Sequence, residues 1–215
     1  MFIIRFALLS SFFYALNVSM LPLIYSLEVS AFLFLFIRFA TTFCSSLLVT
    51  KSFFSFTKIK KHKIGFWLII LSFLFGIQSW LFVEAVKYMS VGLVSVILYT
   101  YPLITYLMVS LSKRRALDLT TIVMFILATI GIVAISQSSE GVHTLVIGIL
   151  LSLLSAISLS LIFFLTPKVR SLRNWEIVKF TTLIPMLMFL ALFLNESGIS
   201  WPANEGIILS LISGT

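Results

Sequence analysis

Of the 215 residues, 60% are hydrophobic and only 10% charged, against roughly a quarter charged in soluble domains, so a water-facing surface cannot be dressed and an all-α, polytopic helical membrane protein remains. The formal net charge of +8 does not point to nucleic acid, because the basic residues sit in short segments between apolar runs rather than on one amphipathic face or in a tail. One cysteine, Cys44, within an apolar run, rules out an intrachain disulfide or a cysteine-based zinc site, and His62 and His143 fall in different links.

The first apolar run, about Phe6 to Ser26, is long enough to span, since about 20 residues cover the hydrocarbon core. Read as a secretory signal it has only Arg5 as a basic leader and no clean small-x-small cleavage site, so a first transmembrane helix is the better reading. Tyr14, Asn17 and Pro22 interrupt it and serve either interhelical hydrogen bonding or the lining of a cavity. The second run, about Val29 to Val49, carries Arg38 near the bilayer middle. A charged side chain there costs at least about 2.5 kcal/mol on insertion scales, so Arg38 must face protein or water. It either snorkels, clamps carbonyls of a neighbouring helix, or meets an anionic group of a substrate.

The link Lys51 to Lys63 holds five lysines and reads as a topology determinant. A third run, about Ile64 to Val86, contains Gly76 and Gln78 and ends in Glu84, with Lys87 three residues on and able to pair with it. After a short connection the fourth run, about Val91 to Leu111, carries Tyr99, Tyr101 and Pro102 at its centre. So short a link makes the third and fourth helices antiparallel. A proline among aromatics at bilayer depth leaves backbone carbonyls that need polar neighbours, as in a cavity wall.

Lys113-Arg114-Arg115 precedes a fifth helix, about Leu117 to Ser136. The sixth, about Thr144 to Leu165, spaces Gly148, Ser152, Ala156 and Ser160 four residues apart, a ridge of small side chains suited to close packing. Beyond Pro167 come Lys168, Arg170 and Arg173, a seventh helix from about Glu176 to Leu194, and a polar stretch, Asn195 to Glu205. An eighth apolar run starts at Gly206 and the sequence stops at Thr215, too short to span, so the expectation is a fragment or truncated reading frame. With the N-terminus in the cytoplasm, thirteen of the fifteen basic residues, Lys179 among them, become cytoplasmic. Lys87 then lies outside and Arg38 within the bilayer, as the positive-inside rule requires.

In the order of its segments the chain resembles the drug/metabolite transporter superfamily, specifically its EamA-type members. The resemblance rests on Arg38-Phe39, the turn from Ala85 to Gly92 (Ala-Val-Lys-Tyr-Met-Ser-Val-Gly), Tyr99, Pro102, Gly131 and the run from Gly148 to Lys168. It departs from that pattern after the fourth helix, where Ser112-Lys113-Arg114-Arg115 replaces a Gly-Glu pair, and in the sixth helix, which lacks the usual tryptophan.

The resemblance implies inverted five-helix repeats, here residues 1–137 and an incomplete second repeat over 144–215. It implies alternating access that moves a small metabolite, an amino acid or related compound, or a drug, outward as export, through a plasma membrane such as the bacterial inner membrane. The sequence has no ATP-binding motif and no cofactor is expected, so coupling to a proton or ion gradient, or plain facilitated exchange, is implied. Tyr14, Asn17, Arg38, Gln78, Tyr99, Tyr101 and Pro102 are the residues predicted to line the cavity. The competing classes are a membrane-embedded enzyme, for which no paired acids within helices, metal-spaced histidines or nucleophile elbow are found, and a non-transporting assembly subunit.

Overall fold

A computed structural model describes residues 21–26, 29–50, 62–113 and 142–196, together with the isolated helical positions Val123, Leu127, Ile130 and Gly131. All of the regular structure in these segments is helical: α1 (Leu21–Ser26), α2 (Ala31–Thr50), α3 (His62–Ala85), α4 (Val91–Leu98), α5 (Tyr101–Ser112), α6 (Val142–Leu165) and α7 (Asn174–Leu194). A single 3₁₀ turn, Thr166–Val169, follows α6. Five stretches, with α4 and α5 counted as one, are long and apolar enough to cross a membrane. They are the second, third, fourth, sixth and seventh predicted spans, each within about two residues of its expected bounds. Most of the first span, nearly all of the fifth and the start of the eighth lie outside the described residues.

The fourth span is where expectation and structure differ, because the one predicted helix is two, parted at Tyr99 and Thr100. Pro102 has no N–H to give the Leu98 carbonyl four residues back, and its ring crowds that carbonyl. The Thr100 N–H turns instead to Ile97 O at 3.1 Å, and the Thr100 hydroxyl donates to the same oxygen at 2.8 Å. Pro102 then sits in the first turn of α5, where its missing donor costs nothing.

Contacts between helices fix their directions. Ser30 donates to Glu196 at 2.5 Å, while Phe32 and Phe39 both stack on Phe189, so α2 and α7 run antiparallel. Gln78 meets Ser155 while the turn that follows α3 meets Gly148, so α3 and α6 are antiparallel as well. Ser72 with Phe180, and Gly76 with Pro185 and Met188, make α3 and α7 parallel. Tyr88 and Met89 beside Gly148, and Tyr101 beside Ser160 and Phe163, do the same for the α4–α5 span and α6. The helices therefore alternate in direction as the positions of the links require. Lys113, Lys168, Arg170 and Arg173 gather at one end, and Glu84, Lys87 and Glu196 at the other.

The ridge of small residues does what its spacing predicts: Gly148, Ser152, Ala156 and Ser160 are all buried. A Cβ on Gly148 would stand 3.0 Å from Met89 Cγ and 3.2 Å from Tyr88 Cβ, so the turn before α4 rests on bare backbone. The apolar core divides in two. The larger part joins α2, α3, α4, α6 and α7 around Phe34, Phe82, Ile97 and Phe189. The smaller, around Leu68, Leu71, Leu165, Val169 and Leu172, lies at the basic end. Lys179, expected near the start of the seventh helix, is only 2% exposed, because α7 starts at Asn174 and carries it more than a turn inward.

Candidate functional site

Helical spacing places Phe75, Gln78, Ser79 and Phe82 on one face of α3, at intervals of three and four residues. That face is held against α6 by a reciprocal contact. Gln78 Nε2 donates to Ser155 Oγ at 3.3 Å, and the Ser155 hydroxyl donates to the Gln78 carbonyl at 3.0 Å. The Ser79 hydroxyl reaches Gln78 Oε1 at 3.4 Å, so the carboxamide is oriented from both sides. Inside a bilayer such bonds are the means by which polar side chains at packed interfaces avoid facing hydrocarbon.

A cavity of about 480 Å³ opens beside this seam. Its polar wall comprises Arg38 of α2, Gln78 and Ser79 of α3, and Tyr99 and Tyr101 at the junction of α4 and α5. Apolar side chains supply the remainder: Phe75 and Phe82 from α3, Leu98 of α4, and Leu159 and Phe163 of α6, the last stacking on Tyr101 with centroids 5.1 Å apart and planes at 16°. The break at Tyr99 and Thr100 shapes this wall. The Ser160 hydroxyl lies 2.9 Å from the Tyr101 carbonyl and 2.7 Å from that of Ala156, and its one proton serves either. Tyr99 is 59% exposed, whereas Tyr101 is half-buried against Phe163.

Four of the seven residues predicted for the cavity, Arg38, Gln78, Tyr99 and Tyr101, thus come together from three spans. Pro102 is exposed and does not line the cavity, yet it makes the break that delivers its two tyrosine neighbours. Tyr14 and Asn17 lie outside the described residues. Sequence reasoning passed over Ser79, Phe75, Phe82 and Phe163, although the three from α3 share the helical face of Gln78 and could have been found by that spacing. Phe163 carries no comparable signal, being one apolar residue among many in α6.

A volume in the hundreds of cubic ångströms, mostly apolar walls and a few converging polar groups suit a small organic molecule. Arg38 is half-buried there and offers a planar fork of donors that matches a carboxylate or phosphate. Among the described residues no group of three or more His, Cys, Asp or Glu side chains could hold a metal ion. The Glu84 and Lys87 pair forms as expected at 2.7 Å, with 19% and 41% of the two side chains exposed, and lies at the acidic end away from the cavity lining.

The family model described as the EamA-like transporter family matches residues 1–137. No curated protein and no solved structure matches the chain.

Proposed function

Because the chain belongs to the EamA-like transporter family, we propose that it carries a small metabolite with an anionic group through the cavity by alternating access, with Arg38 as the anion-binding residue. The observation that carries this reading is the convergence of Arg38, Gln78, Tyr99 and Tyr101 on one cavity, from three different spans. Arg38 holds the anion, Gln78 and the tyrosine hydroxyls meet the remaining polar atoms, and Phe75, Phe82 and Phe163 cover the apolar body. A site at mid-depth, beside a broken helix, is the common construction of secondary transporters.

The antiparallel packing of α2 and α7 supports inverted repeats, one over residues 1–137 and a second from 144 onward. Under a half-turn about an axis in the membrane plane, the second helix of each unit would face its counterpart running the opposite way. The basic end is cytoplasmic in this reading, the N-terminus lies on the same side, the membrane is the plasma membrane, and movement is outward as export, driven by a proton or ion gradient or by exchange.

Uptake and efflux of candidate metabolites by the full-length protein in vesicles is the test. Arg38→Lys keeps the charge and loses the fork, and is expected to weaken apparent substrate affinity; Arg38→Gln is expected to abolish transport while the protein still accumulates. Normal transport by both variants, or failure of both to accumulate, would make Arg38 a structural residue.

A further inference from the structure

Aromatic side chains make up 15% of the sequence but five of the ten residues that line the cavity: Phe75, Phe82, Tyr99, Tyr101 and Phe163. Three of these rings are held in place by other rings. Phe75 meets Phe39 edge to face, with centroids 5.8 Å apart and planes at 72°, and Phe39 in turn stacks on Phe189 at 5.8 Å and 15°. Phe39 and Phe189 are buried, so Phe75 is fixed from behind by the core that joins α2 and α7. From α5 and α6, Tyr101 and Phe163 stack on each other with planes at 16° and make one flat piece of wall. Rings whose orientation is set before a ligand arrives lose little freedom on meeting one. A ligand ring placed against them gains contacts that depend on ring geometry as well as on buried area.

The charge in the cavity is one-sided. Arg38 lines it, and among the described residues no Asp or Glu does. The three carboxylates among those residues are engaged at the two ends of the protein: Glu84 with Lys87, Glu196 with Ser30, and Glu176 with the backbone N–H of Arg173. An ammonium group in the cavity would share it with the guanidinium and find only neutral acceptors, of which Gln78 Oε1 already receives the Ser79 hydroxyl. Ring faces attract cations, but Arg38 opposes any cation brought to the same walls. A charge withdrawn from water without a counter-charge is costly, so the cavity favours a carboxylate and disfavours a zwitterion.

We propose that the substrate is an aryl carboxylate without an ammonium group, a flat aromatic ring on a short arm that ends in the acid. This narrows the reading of the cavity as a transport site, on which it rests. Arg38 pairs with the carboxylate, and the ring lies against Phe75 and the paired rings of Tyr101 and Phe163. A volume of about 480 Å³ admits such a molecule with room for substituents on its ring.

The test measures binding to the purified full-length protein in detergent by calorimetry, with four probes built on one skeleton: 3-phenylpropionate, 3-cyclohexylpropionate, 3-phenylpropionamide and L-phenylalanine. The cyclohexyl acid is the more apolar of the two acids, so a cavity that merely excludes water prefers it. The expected result is that 3-phenylpropionate binds at least about threefold more tightly than the cyclohexyl acid. It should also exceed the amide and L-phenylalanine by at least about tenfold each. Phe163 is half exposed and can be shortened with little disturbance of the core. Phe163→Leu should erase the preference for phenyl over cyclohexyl and keep that for acid over amide, and Phe75→Leu should do the same from α3. The wild-type series decides even where neither variant accumulates. If the two acids bind alike, or L-phenylalanine binds as tightly as 3-phenylpropionate, the proposal fails, while preference for acid over amide leaves the anion-binding cavity intact. Ring preference that persists in both leucine variants also overturns the proposal. If the amide binds as tightly as the acid, or none of the four binds, both readings fall together.

Discussion

Ser155 and Gln78 share two hydrogen bonds across the interface of α3 and α6, one to the carboxamide and one to the backbone. Removing the hydroxyl leaves Gln78 O without that donor and its side chain without that acceptor. Ser155→Ala should therefore destabilise the protein by about 1 kcal/mol, within the range for interhelical bonds in membranes. A lowered midpoint of unfolding in detergent would show it. The same change releases the carboxamide to rotate into the cavity, so substrate affinity should fall even where the fold survives. Ser155→Thr keeps the hydroxyl but adds a methyl group at a fully buried position, and should be the worse packed of the two variants.

At the scale of elements, the glycines and the proline allow sharper comparisons. A Cβ on Gly76 would lie 3.1 Å from the terminal methyl of Met188, a flexible group that can move, and 3.4 Å from Pro185 Cβ. On Gly148 it would meet Met89 Cγ at 3.0 Å and Tyr88 Cβ at 3.2 Å, atoms close to the backbone. Gly148→Ala should thus lower thermal stability in detergent by clearly more than Gly76→Ala, on the order of 1–3 kcal/mol for an overpacked contact. Equal losses would show that the turn before α4 yields as readily as a methionine tip. Pro102→Ala restores a donor for the Leu98 carbonyl and removes the clash, so α4 and α5 should join. The tyrosines would then turn relative to each other. The expected signature is unchanged accumulation with reduced transport.

The helix bounds were legible in the sequence because long apolar runs and basic links leave little freedom in a bilayer. The small-residue ridge and the Glu84 and Lys87 pair were equally plain. The break in the fourth span was signalled by Pro102, but whether a transmembrane proline kinks a helix or parts it depends on the backbone around it, and here Thr100 turns both its N–H and its hydroxyl to Ile97 O. Lys179 lies near the start of α7 as expected, and its burial there was not legible, because position along a helix does not tell which way a side chain faces.

For the whole molecule, the alternation of helix directions gathers Lys113, Lys168, Arg170 and Arg173 at one end and Glu84, Lys87 and Glu196 at the other. With the basic end in the cytoplasm, Asn195→Cys should react with an impermeant maleimide in intact cells, and Arg170→Cys only after lysis, both in a Cys44→Ser background. Both positions are exposed. The reverse pattern would invert the orientation and with it the direction assigned to transport.

The ammonium of Lys168 lies 3.5 Å above the centre of the Trp67 ring, joining the start of α3 to the 3₁₀ turn after α6. A cation held on an indole face is an optical label that the chain already carries. It perturbs the excited state of Trp67, and it spans the joint between two helices at the end where the smaller apolar cluster closes the protein. Separation of those helices would lift the charge off the ring and admit water beside it. Turnover would then be visible as a change in the colour and intensity of tryptophan emission, and a Lys168→Met protein would lose the part of that change that comes from the charge.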